Sequence, residues 1–221
     1  MLFSRFSYII VFFLLALLPV FSQQGKMHPS LEFHGGSLYY FYKNTSTRQT
    51  EELPSYDIGF LLMNKFELKR NSIYLKIGLN WNDKKYENTY TNKYSSITET
   101  SSIQFYYVNL PILMSFSFDN LGKWKPFISS GFVSGMLYKE NRDVIYANGT
   151  TENGFSASER NEKRPKYLLF SLGATYSIFS KVSLSFEPYF RYAFPINIGG
   201  NTDRVLNNAL GFRFGLVFAL N

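Results

Sequence analysis

Read two residues at a time, the segment from Asn207 to Asn221 splits into two faces. Leu210, Phe212, Phe214, Leu216, Phe218 and Leu220 fall on one. Ala209, Gly211, Arg213, Gly215, Val217 and Ala219 fall on the other. Successive side chains of a strand point to opposite sides, so the segment reads as a strand with one bulky apolar face. The second face is small and carries one charge, which suits a crowded, enclosed space better than open solvent. The apolar face matches the ~9–11 residues that a tilted strand needs to cross a bilayer.

The same alternation recurs along the chain. A first strand is expected over Ser30–Lys43, where Gly35 and Gly36 suggest a bulge or a close backbone approach. The second, Ser55–Leu68, sets Tyr56, Ile58, Phe60, Leu62, Phe66 and Leu68 against Asp57, Gly59, Leu61, Met63, Lys65 and Glu67. The third spans Ser72–Asn82, with Ile73, Leu75, Ile77, Leu79 and Trp81 on its apolar face. The fourth spans Ser101–Phe118, where Pro111 cannot donate a ladder hydrogen bond and marks a bulge or a local weakness. The fifth, Trp124–Lys139, is rich in Gly and Ser, and its faces are not assignable from sequence. The sixth and seventh, Lys166–Phe179 and Val182–Phe194, alternate cleanly and flank a two-residue turn at Ser180-Lys181.

The polar segments between strands alternate in length. Asn44–Pro54, Asp83–Glu99, Glu140–Pro165 and Pro195–Leu206 are long; Lys69–Asn71, Asp119–Lys123 and Ser180–Lys181 are short. Outer-membrane barrels show this arrangement, with short periplasmic turns and long extracellular loops. The expected fold is all-β: an eight-stranded antiparallel up-and-down transmembrane β-barrel whose closing strand is the last one. Closure leaves no unpaired backbone in lipid. A soluble barrel of the same strand number would have placed more charge on its water-facing side.

Met1–Ser22 has a short positive start at Arg5, an apolar run over Tyr8–Leu18, a break at Pro19 and a small residue before Gln23. It reads as a cleaved signal peptide, 1–22, ahead of a single barrel domain, 23–221. Composition then adds three constraints. Cysteine is absent, so disulfides and thiolate metal sites are excluded. Aromatics reach 19 %, as the interfacial girdles of a barrel require. The net charge of +7 is spread among acidic residues with no compact basic motif, which argues against a nucleic-acid partner.

One stretch carries a resemblance. Tyr107 to Phe118 reads YVNLPILMSFSF, and Gly122 to Gly131 reads GKWKPFISSG. An aromatic strand with Leu-Pro-Ile, a turn and a Lys-Pro-Phe strand ending in Gly resembles the porin-like outer-membrane β-barrel proteins of Bacteroidetes that include PorT-type members. The resemblance implies an outer-membrane barrel and no single activity.

By alternation, Glu32, His34, Asp57, Lys65, Glu67, Lys76, Glu187, Arg191 and Arg213 face the barrel interior. Charges held there need partners to offset desolvation, so they are expected to form a network that plugs the lumen. Glu187 and Arg191, two inward positions apart, are placed to flank a shared partner such as Arg213. A narrow path for ions or small solutes is the alternative. A lipid-modifying enzyme is a second alternative, requiring a hydroxyl and a carboxylate beside His34. No catalytic residues, cofactor or metal site are assigned. In the loops, Arg160, Lys163, Arg164 and Lys166 are candidates for contact with lipopolysaccharide phosphates or another protein. The expected molecule is a non-enzymatic outer-membrane protein whose partners are membrane lipid, lipopolysaccharide and possible envelope proteins.

Overall fold

The computed structural model describes residues 28–42, 49–68, 70–91, 98–119, 121–146, 150–153, 164–194, 196–197, 204–205 and 207–220. The proposed signal peptide lies outside these residues. Twelve strands are present among them: β1 (His28–Tyr42), β2 (Gln49–Leu53), β3 (Ser55–Glu67), β4 (Asn71–Thr91), β5 (Thr98–Phe118), β6 (Trp124–Ile145), β7 (Thr151–Asn153), β8 (Lys166–Ser177), β9 (Val182–Ala193), β10 (Ile196–Asn197), β11 (Arg204–Val205) and β12 (Asn207–Ala219).

Eight of these close on themselves in the order β1, β3, β4, β5, β6, β8, β9, β12 and back to β1. Every neighbouring pair is antiparallel. The closing seam is continuous from Ser30 opposite Ala219 to Tyr42 opposite Asn207. Both ends of the described chain and the short turns therefore lie at one end of the barrel, the periplasmic end in this architecture.

The alternation read from sequence holds on the barrel strands whose faces it assigned. Outward positions such as Phe33, Ile58, Leu62, Met114, Ile128, Phe170, Leu172, Phe186 and Phe214 are exposed, as a lipid-facing band must be. Inward positions are buried, and many of them are polar or charged: Glu32, Asp57, Asn80, Asn109, Ser129, Glu187, Arg191 and Arg213 are among them. The fifth strand, unassigned from sequence, turns Phe127, Ser129 and Val133 inward and Trp124, Ile128 and Phe132 outward. Aromatics mark both edges of the band. Trp124 and Tyr176 stack at 4.8 Å near the periplasmic turns, and Tyr106 and Tyr138 pair at 6.1 Å near the opposite edge.

Three expectations are corrected. The first is that strand continues into the segment Asp83–Glu99 expected to be loop: β4 and β5 remain paired in one register out to Thr91 opposite Thr98. Likewise β6 continues to Ile145 through the segment expected to be loop, and β7 pairs with its outer end. β8, β9 and β12 have 12, 12 and 13 residues, against 21, 21 and 22 for β4, β5 and β6. Since ~9–11 residues suffice to cross, the longer strands carry their ladder beyond the bilayer. There water bathes both faces and the apolar alternation ends.

The second is that neither the glycine pair nor the proline is the bulge that each allowed as one of two readings; no register shift occurs at either. The pairings of β1 run unbroken past Gly35 and Gly36. Pro111 interrupts the β4–β5 ladder locally, and the register resumes unchanged. The third is that the bulge lies elsewhere, between Tyr106 and Tyr107 of β5, where Tyr138 is the extra residue on β6.

The glycine pair instead marks a close approach. Gly35 faces outward, where a Cβ would make an ordinary contact with Ile58 Cγ1 at 4.0 Å. At Gly36 a Cβ would stand 1.9 Å from the Phe212 carbonyl oxygen across the seam. We therefore expect Gly36→Ala to lower stability by about 2 kcal/mol or more, in the range of overpacked sites, while Gly35→Ala costs under about 0.5 kcal/mol. The check is the urea midpoint of heat-modifiable gel migration for each variant.

Candidate functional site in the barrel interior

The interior is organised around two ion pairs. Arg191 on β9 donates from Nη2 to Asp57 Oδ2 on β3 at 2.7 Å, and neither side chain has exposed surface. Arg213 on β12 donates from Nε to Glu187 Oε2 on β9 at 2.9 Å, at 1 % and 0 % exposure. Tyr189 ties the two together. Its hydroxyl donates to Asp57 Oδ2 at 2.7 Å, and its ring centre lies 5.2 Å from each guanidinium carbon. Gly211 makes room for it, since a Cβ there would meet the Tyr189 ring at 2.5 Å.

Serine hydroxyls bond two of the carboxylates. Ser171 donates to Glu187 Oε1, and Ser185 donates to Glu32 Oε1 at 2.8 Å. Around this layer pack Leu38, Tyr40, Leu113, Val133, Tyr167, Leu169, Ala193 and Ala209, all buried. A buried charge is costly unless it is paired and hydrogen-bonded, and the pairs here are both.

Seven of the nine expected interior residues gather in this region: Glu32, His34, Asp57, Lys76, Glu187, Arg191 and Arg213 are all buried. Lys65 and Glu67 are not part of it. They form a pair at 2.9 Å near the periplasmic turns, where the Glu67 side chain is 59 % exposed and Lys65 also reaches Asp119 at 3.6 Å. The expected sharing of Arg213 is also corrected. Among the described residues Arg213 pairs with Glu187, and Arg191 reaches across to Asp57.

His34 stands inside the barrel opposite Gly59 and Gly215, and neither ring nitrogen has a hydrogen-bond partner among the described residues. The hydroxyl that a nucleophile–base arrangement needs is not bonded to it. No group of three or more His, Asp or Glu able to hold a metal ion occurs among the described residues. Of the loop candidates, Arg164 and Lys166 are exposed at the outer edge, and Arg160 and Lys163 lie outside the described residues.

A second polar group, missed from sequence, lies toward the outer end. Asp83 Oδ1 accepts from the Tyr56 backbone N–H at 2.8 Å, and its Oδ2 accepts from Gln104 Nε2 at 2.8 Å. Asn82 donates to Tyr40 Oη at 2.6 Å and accepts from Asn109. The missing signal was secondary structure: with Asp83 assigned to a loop, its place on β4 opposite Tyr106 was invisible.

Residues 21–198 match the family model described as the outer membrane protein beta-barrel domain. The chain belongs to that family. It is an outer-membrane β-barrel protein. No curated protein sequence matches it. Among solved structures it is similar to OprG of Pseudomonas aeruginosa, at 10 % identity over 90 % of this chain and 99 % of that one, with a TM-score of 0.46. Neisserial surface protein A aligns at 9 % identity over 88 % and 99 %, with a TM-score of 0.43. Ail of Yersinia pestis aligns at 10 % identity over 88 % and 100 %, with a TM-score of 0.36.

The ion pairs of this outer-membrane barrel generate a stability test. Asp57→Asn leaves Arg191 buried beside a neutral partner and is expected to cost about 3–5 kcal/mol. Asp57→Leu combined with Arg191→Met removes both charges and is expected to recover most of that loss. Urea unfolding of the three proteins in micelles, followed by tryptophan fluorescence, measures the difference.

Proposed function

We propose that this protein is a non-enzymatic outer-membrane barrel with a sealed lumen. It acts through its extracellular surface or as a component of an envelope assembly. One observation carries the reading: the Asp57–Arg191 and Glu187–Arg213 pairs occupy the interior at 0–1 % side-chain exposure, with Tyr189 bridging them. A conducting path would keep its charges wetted. In a barrel of eight strands the interior is just wide enough for side chains to fill.

Action then falls to the extracellular side. Arg164 and Lys166 are exposed there, and with Arg160 and Lys163 they offer a basic stretch for lipopolysaccharide phosphates. The Leu-Pro-Ile and Lys-Pro-Phe strands support kinship with the porin-like Bacteroidetes barrels, without carrying over the secretion role of PorT-type members. The enzymatic reading loses support because the His34 imidazole has no bonded hydroxyl.

Planar-bilayer recording of the chain from Gln23 to Asn221 tests the sealed lumen. The expected result is a folded, heat-modifiable barrel with no discrete conductance steps. Reproducible single-channel steps would overturn the reading in favour of a narrow pore.

A further inference from the structure

The barrel interior is not filled along its whole length. Below the ion-pair layer a vestibule of about 380 Å³ opens at the end that carries the short turns. That volume falls within the range of small-molecule pockets, about 300–1,000 Å³. Its lining is hydroxyl-rich and basic: Ser115, Ser117 and Thr175 line it, with four lysines, Lys65, Lys76, Lys125 and Lys181, against one carboxylate, Glu32.

Two of these charges are already engaged. Lys65 is held by Glu67 and Asp119, and Glu32 accepts from Ser185. No salt bridge among the described residues involves Lys76, Lys125 or Lys181. Lys76 is the telling case. It is only 4 % exposed, yet it borders the vestibule and donates no hydrogen bond among the described residues.

Its position is built from the backbone outward. Lys76 sits on β4 between Met63 of β3 and Leu113 of β5, facing inward. Its Nζ rests 4.3 Å from the ring centre of Phe127. Phe127 in turn fits against Gly173, where a Cβ would come within 2.4 Å of the ring. The aromatic face supports the ammonium from one side. A lysine has three donors and no acceptor, so those not turned to the ring remain to be met from the vestibule.

We propose that this vestibule is a binding site, entered from the periplasm, for a small solute bearing an oxyanion, a phosphate or a carboxylate. Lys76 anchors the anion at the inner end. Lys125 and Lys181 draw it in from the mouth, and the Ser and Thr hydroxyls accept or donate to the rest of the solute. The site is independent of whether the lumen conducts, because it lies on the periplasmic side of the ion-pair layer.

The test uses the full mature chain in dodecyl maltoside, a detergent without phosphate. Inorganic phosphate is followed by phosphorus NMR line broadening, and acetate by competition. Saturable binding is expected, weakened about tenfold or more by Lys76→Met and within about threefold of wild type in Lys76→Arg. Lys139→Gln, an exposed lysine at the opposite end of the barrel paired with Tyr106, is expected to change nothing. Heat-modifiable migration establishes that each variant is folded. Should Lys76→Met not fold, the paired variant Lys125→Gln with Lys181→Gln replaces it and is expected to weaken binding several-fold. The proposal is overturned if neither anion binds saturably, if the vestibule variants bind as wild type does, or if Lys139→Gln weakens binding equally.

Discussion

In hydrocarbon there is no water to satisfy a backbone N–H or C=O, and each one left unpaired costs several kcal/mol. That constraint determines the rest of this molecule. A sheet can meet it only by joining its two edges, so β12 must pair with β1, and does so without interruption over the whole seam. Joining the edges of eight strands encloses a narrow interior. The narrow interior forces inward side chains against each other. Charges placed there have to be neutralised inside, as Arg191 is by Asp57 and Arg213 by Glu187.

The parts of the structure legible in the sequence are those the bilayer imposes. Lipid on one side and a crowded lumen on the other produce a strict period of two, so the facing of Phe212 against Arg213, or Phe186 against Glu187, is readable residue by residue. Where lipid ends, the signal ends with it. Asp83–Thr91 is strand by its hydrogen bonds alone, and no pattern of side chains announces that. The fifth strand failed for a related reason. Small Gly and Ser residues on both faces gave no contrast, although Phe127 and Val133 are plainly interior.

The site was half legible. Alternation placed seven charged or imidazole-bearing residues in the interior, and all seven are buried. It could not say which pairs with which, since Arg191 and Asp57 are 134 positions apart in the chain. It also gave no weight to Tyr189, one aromatic among many, whose hydroxyl and ring connect both ion pairs. Lys65 and Glu67 continue the alternation of β3 past the enclosed region, so parity alone counted them among the buried charges. Periodicity reports the side a residue faces and not its depth.

The pairing of Asp57 with Arg191 has a consequence for how the molecule comes together. Asp57 lies on β3 and Arg191 on β9, and between them in the wall stand β1 and β12, the two strands of the seam. The Ser185–Glu32 hydrogen bond likewise reaches from β9 past β12 to β1. In a sheet still open at that seam, these partners sit near opposite margins and cannot meet. The carboxylate and the guanidinium are then stranded, and only the seating of the last strand relieves them. An incompletely assembled wall therefore leaves these charges without their partners, and closing the cylinder supplies them together.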